Sequence, residues 1–105
     1  MREIQKIKKN QLLTIEEVQE EAKFLSSGWE VAKTKLKKTF LFPDFKEAVA
    51  FVHAVANIAQ QLQHHPEILL SWKKVVIETT THSIGGLSNK DFDLAKKIDA
   101  ESETF

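Results

Sequence analysis

His64-His65-Pro66, followed by Trp72 and then by His82, gathers three of the four histidines of this chain into one short stretch. Imidazole is the side chain whose unperturbed pKa, about 6.5, lets it give or take a proton near neutrality, so such a group suggests general acid–base chemistry. A metal site is the alternative, since histidine is also a common zinc ligand and an open zinc site needs three protein ligands. Adjacent histidines differ from the i, i+4 pairing that puts two helical imidazoles on one face, and there is no cysteine to complete a site. Proton transfer is therefore the reading taken forward, with no metal. Trp72 reads either as core or as an aromatic face for a flat heterocycle. For adjacent histidines the plain structural role is to cap a helix C-terminus at the surface. The fourth histidine, His53, lies beside an apolar helical stripe and reads as a boundary residue.

Fifteen basic and fifteen acidic side chains cancel, which removes the field that non-specific nucleic-acid binding relies on and gives no argument for a membrane surface. The lysines between Lys33 and Lys38 read first as solvated strand residues that discourage edge pairing. No apolar run approaches the ~20 residues of a membrane span, and the opening MREIQKIKKN lacks a signal-peptide core. The cytoplasm is the expected compartment, and the length, 105 residues, fits one domain whose core runs from about 12 to 100.

The elements that must position the histidines follow from local signals. Thr14 with Glu17 has capping-box spacing, Leu13 and Val18 form its hydrophobic staple, and Ile15, Val18, Ala22 and Leu25 mark a first helix closed near Gly28. Trp29 to Phe42 is β-like and predicts a hairpin turning near Thr34. Asp44 and Glu47 open a second helix with a broad apolar stripe from Phe45 to Leu62, which must stop near Gln63 because Pro66 disfavours helical geometry at His65. Ile68–Ser71 and Lys74–His82 predict two more strands, the second ending at His82 and presenting it from a loop. Ser88 with Asp91 caps a third helix, stapled by Leu87 and Phe92, with a frayed tail after Asp99. The fold class is α+β: a two-layer arrangement of a four-stranded antiparallel sheet with helices packed on one face, in the order α-β-β-α-β-β-α. The apolar strand around Val75 to Ile77 is expected at a sheet edge, where a second copy could pair.

The spacing His64-His65-Pro66, Trp72, His82, Asp91 resembles the signature of the pterin-4a-carbinolamine dehydratases, also called the dimerisation cofactor family. Gly28-Trp29, Phe40 to Phe45 and Thr81-His82 through Gly86-Leu87-Ser88 extend the likeness over roughly Leu12 to Ile98. The resemblance implies dehydration of a 4a-hydroxytetrahydropterin to quinonoid dihydropterin, which recycles a pterin cofactor, with no metal or organic cofactor. It implies catalysis by His64, His65 and His82, and substrate binding by His64, His65, Pro66, Trp72, Thr81, His82, Ser83, Ile84 and Asp91. It also implies a homodimer or homotetramer, and it keeps open a non-catalytic role as a pterin-binding or dimerisation scaffold. The family usually has an acidic residue four positions before the first histidine of the pair. Here that residue is Gln60, a neutral amide expected to alter the tuning of His64.

Overall fold

The computed structural model describes residues 11–105; the basic lead-in with Ile4 and Ile7 lies outside the described residues. The capping box forms as expected, with Thr14 Oγ1 accepting from Glu17 N at 3.1 Å and Glu17 Oε1 from Thr14 N at 2.8 Å, and it starts α1, Ile15–Ala22. The helix stops earlier than its apolar period suggests. Three successive i→i−3 bonds from Lys23, Phe24 and Leu25 tighten the chain, and Leu25 packs from this turn rather than from the helix. Gly28 then takes φ +103°, and a Cβ there would lie 3.1 Å from Cε of Lys38, so conformation and space both call for glycine.

The hairpin forms between β1, Glu30–Val31, and β2, Leu36–Leu41. It has no Asn-Gly turn, and a tertiary bond supplies the support: Thr80 Oγ1 donates to Thr34 O at 2.6 Å. Asp44 accepts from Glu47 N at 2.8 Å and begins α2, Phe45–Leu62, whose buried stripe is Ala48, Phe51, Val55 and Ala59. Beyond it come β3, Glu67–Ser71, and β4, Lys74–Thr79.

The antiparallel sheet has the order β1-β2-β4-β3. The strand containing Val75 to Ile77 is thus interior, against expectation, because β2 and β3 both pair with it along its length. The edge is β3. Nor does β4 reach His82: the strand ends at Thr79, an isolated bridge joins Thr81 to Gly86, and His82–Ile84 form a 3₁₀ turn closed by Gly85 at φ +72°. The last helix, α3, spans Asn89–Ser102. Its tail is packed rather than frayed, since the Phe105 ring meets those of Phe51 and Phe42 edge-on at 5.4 and 6.0 Å.

Helices α2 and α3 cover one face, where Phe40, Phe51, Val55, Val75, Ile77, Leu94 and Ile98 form the main core. A second cluster joins Leu13 and Val18 to Leu36, Leu87, Phe92 and Ala95. Both staples predicted from sequence lie within it.

The end of α2 carries strain. Gln63 is the one non-glycine residue with positive φ, +53°, among the described residues, and its N–H bonds back to Ala59 O and Gln60 O. A Cβ in this region costs about 1–2 kcal/mol, and Gln63 is exposed. Gln63→Gly should therefore raise the unfolding free energy by about 0.5–1 kcal/mol in urea denaturation, and an unchanged or lower midpoint would mean the left-handed conformation is not strained.

Candidate active site

The left-handed residue after α2 reverses the chain, so that His64 N donates to Ala59 O at 3.1 Å and the His64 side chain turns inward. His64 is only 9 % exposed, and Asp91, in the first turn of α3, is fully buried. An ionised carboxylate out of water costs several kcal/mol unless its lone pairs are filled. Here they are. Oδ1 accepts from His64 Nε2 at 2.7 Å and from Thr79 Oγ1 at 2.6 Å; Oδ2 accepts from Thr81 Oγ1 at 2.7 Å and from Ser88 N at 3.0 Å. Burial raises the Asp91 pKa, but these bonds, that from His64 foremost, outweigh burial and hold the carboxyl below its ordinary value.

An ionised Asp91 has no proton to give, which fixes the direction of every bond around it. His64 must donate from Nε2, whether neutral or protonated, and no hydrogen bond is made to Nδ1 among the described residues. The Thr81 hydrogen is committed to Asp91, so the 2.8 Å contact between Thr81 and Ser88 hydroxyls has Ser88 as donor, and Ser88 Oγ accepts in turn from Lys90 N at 3.2 Å. No buried side-chain polar atom is left without a partner among the described residues. With its tautomer set, His64 presents Nδ1 as a lone pair when neutral and as an N–H when protonated, the two states a general base and a general acid require.

The other expected site residues divide by position. Thr81 belongs to the Asp91 network, and the next residues, His82 and Ser83, are exposed on the 3₁₀ turn with Ile84 half-buried. His65 is exposed, with Nε2 3.0 Å from Gln60 Oε1. Gln60 thus contacts the second histidine of the pair, not the first. Pro66 leads into β3. Trp72 does not open a strand; it sits in the two-residue turn between β3 and β4, 71 % exposed and with Lys73 Nζ 4.9 Å from its ring centroid. The whole of β4, roughly 17 Å of strand, separates that turn from Thr79, so within one chain Trp72 is not beside the histidines. His53 is exposed on α2. Among the described residues no group of three His, Cys, Asp or Glu side chains is placed to hold a metal ion.

One member of the network was absent from the sequence reading, Thr79, and so was the contact of the Ser88 cap hydroxyl with Thr81. Thr79 had a signal: it follows Val75 and Ile77 on the inward face of β4, and a hydroxyl in a buried register needs a partner.

Residues 11–101 match the family model described as "Pterin 4 alpha carbinolamine dehydratase". The chain belongs to this family. It is 45 % identical over 87 residues to a protein of Sulfurisphaera tokodaii (83 % of this chain, 92 % of that one) and 49 % identical over 88 residues to one of Nostoc punctiforme (84 % and 94 %), both named "Putative pterin-4-alpha-carbinolamine dehydratase". Among solved structures it is similar to a "transcriptional coactivator/pterin dehydratase" of Brucella melitensis, with TM-score 0.81 and 31 % identity over 88 % of this chain and 99 % of that one. A pterin dehydratase-like RuBisCO assembly factor of the alpha-carboxysome shares the fold at TM-score 0.60 and 23 % identity. The family supports pterin carbinolamine dehydratase activity in general. No helix among the described residues is long and apolar enough to cross a membrane.

The directional network has two testable consequences. In Asp91→Asn an amide N–H₂ faces donors on one side or the other, so stability should fall by about 2–4 kcal/mol. In ¹⁵N NMR His64 should also lose its Nε2–H preference; retention of both in the variant would refute the assigned directions. Because the Asp91 pKa is depressed in the folded state, its contribution to stability is complete above the ordinary carboxylate range and is lost as pH falls through the folded value. The unfolding free energy of Asp91→Asn should accordingly fall less between neutral and acid pH than that of the parent, and an equal fall in urea denaturation at the two pH values would contradict this.

Proposed function

We propose that this protein dehydrates a 4a-hydroxytetrahydropterin to the quinonoid dihydropterin, using its histidines as acid and base. The observation that carries the reading is the buried pair of His64 Nε2 and Asp91 Oδ1 at 2.7 Å, which gives one imidazole a fixed tautomer inside the stretch that the family model matches. In the reaction the C4a–O bond breaks as an acid protonates the departing oxygen. A base takes a ring N–H proton, and the freed electron pair forms the C=N bond while water leaves. Both steps are within reach of imidazole at neutral pH.

In this reading His64 and His82 transfer the protons and His65 assists or binds. His64 to Pro66 and Thr81 to Ile84 border the substrate, and Asp91 acts on it through His64 and Thr81. Further parts of the proposal are a cytoplasmic setting and a homodimer, or a tetramer built from it, that uses the exposed β3 edge. The name of the Brucella relative keeps a second reading in view, a scaffold that binds pterin or a protein partner without turning it over.

Decay of freshly generated 4a-hydroxytetrahydropterin, followed by ultraviolet absorbance, separates the two. The parent should accelerate it, and His64→Ala or His82→Ala should each reduce turnover by about 10²-fold or more. Parent-like rates in both variants would exclude histidine catalysis, and a folded but inactive parent would favour the scaffold. Gln60→Glu puts a carboxylate where His65 now meets an amide; it favours the protonated imidazole, so the pH profile of turnover should move to higher pH. An unmoved profile would mean that His65 does not titrate in the rate-limiting step.

A further inference from the structure

Trp72 poses a problem that a single chain does not solve. It is a large aromatic side chain, 71 % exposed, at the far end of β4 from the histidine corner. Exposed Leu69, at 63 %, lies between the two on β3, and β3 pairs on one side only. An unpaired edge with an apolar centre is a template for a further strand, and the register of that strand can be worked out from the pairing already present.

Ser71 and Lys74 flank the Trp72-Lys73 turn as partners. The pair flanking a two-residue turn exchanges both backbone hydrogen bonds. By alternation, Ser71, Leu69 and Glu67 bond towards β4, while Ile68 and Leu70 turn N–H and C=O outward. A second copy added antiparallel about a two-fold axis sets residues of one face opposite residues of the same face. Centred on Leu69, it places Ile68 against Leu70 of the partner subunit and Leu70 against the partner's Ile68, so that all these outward groups are bonded. Centred on Ile68, it would set Leu70 against the partner's Pro66, which has no N–H. Centred on Leu70, it would set Ile68 against the partner's Trp72, inside the turn. The Leu69-centred register also puts Glu67 diagonally across from the partner's Lys73, an opposite-charge neighbour. The same register sets Trp72 opposite the partner's Pro66 and next to the partner's His65.

We propose that Trp72 works in trans: the indole of one subunit lies over the His65-Pro66 corner of the other and supplies the aromatic face against which the flat heterocycle is held. This rests on the dehydratase reading above. Each site would then take its histidines, with Asp91, from one chain and its aromatic wall from the other, and the lone chain would hold an incomplete site.

The chain has no cysteine, so introduced thiols report the register directly. Leu69→Cys should oxidise to an inter-chain disulfide, because an opposed pair has the Cα separation a disulfide needs. Ser71→Cys alone should not, since it faces Glu67 of the partner subunit. The reverse pattern, or no cross-link at Leu69 in a folded protein, overturns the register without reference to activity. Trp72→Ala should raise KM about 10-fold or more, the size of one aromatic contact with a flat ring. A co-purified heterodimer of Trp72→Ala with His64→Ala/His82→Ala should then regain about half the kcat/KM of the parent dimer, because one of its two sites is complete. A kcat/KM no higher than in the two variants alone overturns the trans assignment. Should Leu69→Cys cross-link as expected while the parent shows no dehydration, the dehydratase reading falls on its own. The contact is then read from 7,8-dihydrobiopterin binding, where an unaltered affinity in Trp72→Ala overturns it and a 10-fold loss supports it.

Discussion

A carboxylate with no access to water sets the terms for this structure. Asp91 draws its donors from the end of α2, from the inner face of β4, from the loop after β4 and from the N-terminus of α3. A neutral side chain there would leave those donors buried and unpaired, at about 1–3 kcal/mol each. An ionised one missing a donor would carry an incompletely compensated buried charge. The two requirements meet only when all four segments converge, so the charge specifies where α2 ends relative to the sheet and to α3. Position at the first turn of α3 adds to this, since the positive end of the helix dipole favours an anion.

Asp99 does the equivalent work near the other end of α3. Its carboxylate accepts from Ser26 N at 2.9 Å, from Trp29 Nε1 at 2.9 and 3.0 Å and from Lys38 Nζ at 3.0 Å. Near a helix C-terminus a carboxylate meets the unfavourable end of the dipole; here the half-buried Lys38 cation offsets it and also lies 4.9 Å from the Phe40 ring centroid. Between the two acids the helix buries Phe92, Leu94, Ala95 and Ile98. Apolar packing holds α3 against its neighbours without direction, and the two carboxylates fix its translation and rotation.

What could be read from sequence is what depends on neighbours along the chain. Thr14 with Glu17 and Ser88 with Asp91 cap their helices because a capping box spans only four residues, and α2 shows its buried face in its own period. Misreadings arose where distant segments decide. The edge or interior status of β4 depends on which strands flank it, and the apolar run Val75 to Ile77 fits either. The end of β4 is set by the Thr81 to Gly86 bridge, and His82 consequently rides on a 3₁₀ turn. Gln60 shows how a local rule fails at a boundary: four positions before His64 means the same face only while the helix continues. The helix ends at Leu62, the left-handed Gln63 turns His64 inward to Asp91, and His65 is left to meet Gln60. Asp91 combined both cases. Its cap was legible; its second oxygen, shared by His64 and Thr79, was not, since those partners lie 27 and 12 residues away.

The position of the histidines relative to the sheet edge constrains any chemistry they perform. His64 is held by a buried partner, while His65 and His82, both later in the sequence, are exposed; the dehydration proposed above would thus have one fixed imidazole and two at the surface. His65 and Pro66 lead straight into β3, an edge strand paired on one side only. Pro66 has no N–H to offer a further strand, so pairing at that edge has to begin at Ile68 and leaves the histidine corner outside the hydrogen-bonded ladder. Whatever covers β3 then forms a wall of the corner without blocking it.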